Sequence, residues 1–79
     1  MYLEIGFKSG LIVGVRPCTA GETHALHDPD YFGANPFVVT IDGVPTIYCP
    51  SRKRARQVAF VKARTLELRR CDSIERVWK

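Results

Sequence analysis

Apolar and polar residues alternate with a period of two in "YLEIGFK" and in "LIVGVR", with Ser9-Gly10 between them. That pattern predicts a β-hairpin turning at Ser9-Gly10, because strand side chains point alternately to the two faces of a sheet. A two-residue turn sets Phe7 opposite Ile12 and Gly6 opposite Val13. Leu3, Ile5, Phe7 and Ile12 then share one face, and Leu11, Val13 and Val15 share the other. Both faces read as apolar, so either the sheet is covered on both sides or one side meets a partner. A homodimer through this second face, or through an edge strand, follows as an expectation.

The alternation stops at "CTAGETHALHDPDYFGANP". Thr19 and Glu22 have capping-box spacing, which predicts a short helix near 20–27. Asp28-Pro29 and the Gly33, Asn35, Pro36 cluster predict an irregular loop after it. "FVVTI" and "VPTIY" flank Asp42-Gly43, the preferred dipeptide for a two-residue hairpin turn. Pro45 has no N–H for a ladder, so its strand is expected at a sheet edge or a bulge.

From Ser51 to Arg70 the chain has no Gly or Pro and is rich in Ala, Arg, Leu and Lys. This predicts one long helix over about 51–70. Ala55, Val58, Ala59 and Leu66 form its apolar stripe, widened by Val61, Thr65 and Leu68. "SIERVWK" predicts a last strand. The order describes a single α+β domain over 1–79: a mainly antiparallel sheet of about five strands with the long helix on one face.

Composition adds a charge asymmetry. The 79 residues are 46% hydrophobic and 25% charged, a globular balance, with a net charge of +4. Residues 1–51 carry two cations and five carboxylates, whereas residues 52–79 carry ten cations and three carboxylates. A basic segment of this density favours an anionic partner: nucleic acid, an acidic protein surface or a membrane face. No signal-peptide pattern opens the chain and no apolar run approaches a membrane span, so an intracellular, soluble protein is expected. Cys18, Cys49 and Cys71 are odd in number and widely spaced, which predicts reduced thiols rather than a disulfide framework.

The candidate site lies in "CPSRKRARQ". Ser51 is suited to cap the helix, yet Arg52, Lys53, Arg54 and Arg56 crowd a helix start that already carries partial positive charge. The arrangement serves either as an anion-binding surface or as a solvated charged face. Phe60 falls roughly opposite the apolar stripe among Lys53, Arg56, Arg64 and Glu67. It is either an interface anchor or base-stacking platform, or a ring covered by the 28–36 loop. That loop, with Asp28, Asp30, Tyr31 and Phe32, either recognises protein or folds back on the basic helix. His24 and His27 near Cys18 and Asp28 make a weaker metal pattern than a plain surface pair, and no cofactor is expected. No nucleophile, phosphate-loop or zinc-hydrolase motif is present, and Cys18 with His24 or His27 matches no defensible mechanism. A non-enzymatic protein is therefore expected.

In size, compactness and sheet-plus-helix order, with "FVVTIDGVPTIYCPSRKRARQ" at its centre, the chain resembles the small anti-CRISPR inhibitors of phages and mobile elements. The likeness is to those that act on type I effector complexes. It implies a cytoplasmic protein of an infected bacterium that binds a subunit of the crRNA-guided complex (Cascade) and blocks target DNA binding or nuclease recruitment. It transfers no functional residue, and the basic charge argues against DNA mimicry. Two functions are thus carried forward. One is an inhibitor docking an acidic protein surface through Arg52, Lys53, Arg54, Arg56, Phe60 and Arg64, with Tyr31 and Phe32 beside them. The other is a nucleic-acid-binding module using the same cations on phosphates.

Overall fold

The computed structural model describes residues 2–26 and 28–78. In chain order the elements are β1 (Leu3–Phe7), β2 (Ile12–Pro17), α1 (Ala20–Ala25), α2 (Pro29–Phe32), β3 (Phe37–Ile41), β4 (Val44–Cys49), α3 (Arg52–Arg70) and β5 (Ile74–Trp78). The strands form one antiparallel sheet ordered β4-β3-β2-β1-β5, so the last strand pairs with the first. The expected α+β architecture is present, with α3 packed across β2, β3 and β4.

Local chemistry accounts for most of the boundaries. Thr19 and Glu22 close a reciprocal capping box at the start of α1. Asp42 and Gly43 both take positive φ, 51° and 81°, as a hairpin turn of this kind demands. Pro45 lies on the edge strand β4, where the register with β3 shifts between Val39 and Thr40. The Ser51 hydroxyl accepts from the Arg54 N–H at 3.2 Å, and Cys71 ends α3 in the left-handed conformation.

The first hairpin departs from expectation by one residue. Leu3 pairs with Val15, Ile5 with Val13 and Gly6 with Ile12, so the loop is Lys8-Ser9-Gly10. The Gly10 N–H donates to the Phe7 carbonyl at 2.9 Å, and only Gly10 in this loop needs positive φ. A one-residue slip exchanges the faces of a strand. Leu3, Ile5, Phe7, Val13 and Val15 therefore share one buried face beneath α3, with Leu11 packed against them. The expected second apolar face of Leu11, Val13 and Val15 does not exist, so these residues offer no surface for a homodimer.

The helix contributes alanines to this core. Ala55, Ala59 and Ala63 are fully buried, and Val58 and Leu66 flank them. A ladder of methyl groups at every fourth position lets the α3 backbone approach the sheet closely, while Val39 and Cys49 close the layer from β3 and β4. Val61 and Leu68, expected to widen the buried stripe, point the other way and are 67% and 77% exposed.

On the sheet's second face, Val38 is completely buried. Beside it Arg16 and Tyr48 reach Glu22 of α1. That short helix thus fastens over one corner of this face, leaving Glu4, Gly6, Ile12, Gly14 and Thr40 outside it.

Candidate functional site

The outward side of α3 gathers the sequence-predicted cations. Arg52, Lys53, Arg54 and Arg64 are exposed and Arg56 is half-buried. Arg52, Lys53 and Arg56 border an open hollow of about 440 Å³ near the helix start. The Arg52 guanidinium carbon stands 5.8 Å from the Tyr2 ring centroid, and that ring meets Phe37 edge-on at 5.5 Å. This cation–π contact gives one of the five cations a structural partner. Among the described residues the only ion pair is Arg16–Glu22, so no carboxylate neutralises the others.

Phe60 lies on the flank of this surface, 36% exposed. With Val61, Arg64, Thr65 and Leu68 it lines a shallow hollow of about 350 Å³. A second hollow of about 220 Å³ lies on the N-terminal side of Val61, between Arg54, Gln57 and Val58. Positions 54, 57, 61, 64 and 68 follow the three-four spacing of a helix–helix seam. The outer face is therefore an apolar ridge, Val61 and Leu68 with Phe60 beside it, set among cations. The cations and Phe60 were candidates from the sequence, whereas Val61 and Leu68, expected in the core, stand exposed. The alanine ladder at 55, 59 and 63 was the signal that would have turned the helix correctly.

Tyr31 and Phe32 do not join this surface through any ion pair or ring contact. Their rings meet edge-on at 4.9 Å, with Tyr31 54% exposed and Phe32 half-buried. Asp28 accepts from the Tyr31 N–H at 3.1 Å, and neither Asp28 nor Asp30 forms an ion pair with α3. His24 is exposed on α1, and His27 lies outside the described residues. Among the described residues no cluster of three or more His, Cys, Asp or Glu could hold a metal.

The thiols are free: Cys49 buried, Cys18 half-buried and Cys71 exposed. Burial pushes the Cys49 and Cys18 thiols up, away from the thiolate that a nucleophile needs. The strongest electrostatic feature is elsewhere. Arg16 holds Glu22 through two bonds of 2.7 and 3.0 Å, and the Thr19 N–H donates to the same carboxylate at 2.8 Å. The Arg16 bonds first, and the Thr19 N–H second, lower the Glu22 carboxyl to about 2. This group anchors α1 to β2.

No described helix is long and apolar enough to cross a membrane, a statement that leaves β-barrels aside. Compared with known proteins, the chain matches no family model, no curated protein and no solved structure.

Proposed function

We propose that the chain is a non-enzymatic binding module whose working surface is the outward face of α3. Its partner is a protein surface with an apolar centre and an acidic rim. One observation carries this reading: Val61 and Leu68 stand exposed on a helix whose cations have no carboxylate partner among the described residues. Cations alone would serve phosphates equally well, but an apolar ridge between them gains little from a phosphate backbone. It gains more by burial, about 25 cal/mol per Å² of apolar surface removed from water.

The likeness in build to the anti-CRISPR inhibitors makes a subunit of a type I surveillance complex the partner to try first, with occlusion of DNA or nuclease as the effect. The test measures binding of purified type I complex by wild type, by Val61→Glu with Leu68→Glu, and by Phe60→Ala. Loss of at least about 2 kcal/mol in the double variant, with folding intact, is the expected result for a central anchor. Binding to a DNA duplex that falls steeply with salt and ignores the double variant would instead establish the phosphate-binding function. Absence of binding to the complex would remove that partner.

A further inference from the structure

The two hollows on the outward face of α3 are in register with each other. The first lies between Arg54, Gln57, Val58 and Val61. The second is bordered by Phe60, Val61, Arg64, Thr65 and Leu68. Phe60 aside, each set is spaced i, i+3, i+4, i+7, and the second repeats the first seven residues on. Four residues at that spacing form the hole that receives one side chain of a facing helix. Val61 is the wall shared by both holes. The Thr65 hydroxyl donates back to the Val61 carbonyl at 3.0 Å, so it asks nothing polar of an occupant.

Distance and charge together select the occupant. Seven residues at 1.5 Å each put the holes about 10.5 Å apart along the axis. A second helix repeats that distance with side chains seven positions apart. A strand does not, because its same-face side chains recur at roughly 6.8 and 13.5 Å. α3 has eight Lys and Arg but one carboxylate, Glu67, which accepts from the Ile74 N–H at 3.1 Å. Arg54 and Arg64 border the two holes, exposed and without an ion pair among the described residues. A second α3 would set cations against cations, so a second copy of this chain is the wrong occupant.

We propose that the partner element seated on α3 is an acidic amphipathic helix. Its apolar side chains, seven residues apart, enter the two holes while its carboxylates pair with Arg54 and Arg64. The inference rests on the reading of this face as a protein-binding surface and adds the form of the partner. Guanidinium–carboxylate pairs at the rim fix the register of the incoming helix, and burial of Val61 and Leu68 supplies affinity.

The test uses a peptide of three heptads with Leu at positions a and d and Glu at e and g. One control peptide has the same residues with Leu at alternate positions, and another has Lys in place of each Glu. Titrated into ¹⁵N-labelled protein, the heptad peptide is expected to give saturable shifts centred on the amides of residues 54–68. It should also gain helicity by circular dichroism. Each control should bind at least about tenfold more weakly. Arg54→Glu with Arg64→Glu should bind the Glu peptide at least about tenfold more weakly than wild type does, and the Lys peptide more tightly. No saturable binding of the heptad peptide, equal binding of the alternating one, or a charge preference untouched by the double variant overturns the proposal. The probe contains no part of a surveillance complex, so the two readings fail separately. Complex binding that is lost in Val61→Glu with Leu68→Glu, alongside no binding of the heptad peptide, would keep the surface and discard the helix.

Discussion

A methyl group added at Gly14 would lie 2.9 Å from the Thr40 hydroxyl oxygen. Thr40 is β-branched and enclosed, so it cannot swing away without strain. Gly14→Ala should therefore cost about 1–3 kcal/mol of stability, in the range of overpacking. Combined with Thr40→Ala, the loss should fall below the sum of the single losses, which urea melts of the four proteins would measure as a coupling energy. Simple additivity would mean that the clash is not the cause. At this scale the sequence was readable where the partners are near neighbours, as for Thr19 with Glu22 and Asp42 with Gly43. It was silent at Ser9, whose N–H and hydroxyl both donate to Asp72 across the length of the chain. That distant carboxylate, with Lys8 donating to the Ser73 carbonyl at 2.8 Å, helps hold the three-residue loop. Local turn preference had suggested a two-residue one.

Among the elements, α1 depends most on a single charge. It has no buried residue, and Glu22 joins it to Arg16 at 2.7 Å and to the Tyr48 hydroxyl at 3.5 Å. Because folding lowers the Glu22 carboxyl to about 2, its contribution is complete above the unfolded value of about 4.3. It is lost as pH falls from there through about 2. Thermal melts should show wild type losing stability across that window more steeply than Glu22→Gln, which should be the weaker protein at pH 7. Parallel pH profiles would show that α1 is held by something else. The orientation of α3 is a related lesson. Their larger apolar side chains favoured Val61 and Leu68 for the core, but the residues buried against the sheet are Ala55, Ala59 and Ala63, whose small side chains let the helix backbone approach closely. Which candidate residues face outward thus depended on packing that periodicity alone does not contain.

For the molecule as a whole, strand order was the least legible feature. Turns revealed the β1–β2 and β3–β4 hairpins, but nothing local says that β5 returns to lie against β1. That return sets Trp78 opposite Glu4, so the two extremities of the described chain run side by side. A ring made by joining them through a few glycine and serine residues would leave the folded sheet unstrained. The unfolded chain would lose much of its freedom, because its ends could no longer separate. Loop-closure arguments for a cross-link over this span give an upper bound of about 4–5 kcal/mol, and measured gains usually fall short. A backbone-cyclised form should therefore unfold at higher denaturant than the same polypeptide left open, by about 1–3 kcal/mol. Equal midpoints would mean that the extremities do not stay together in solution. The pairing of β5 with β1 makes this sheet nearly a closed circuit of chain, broken at a single point.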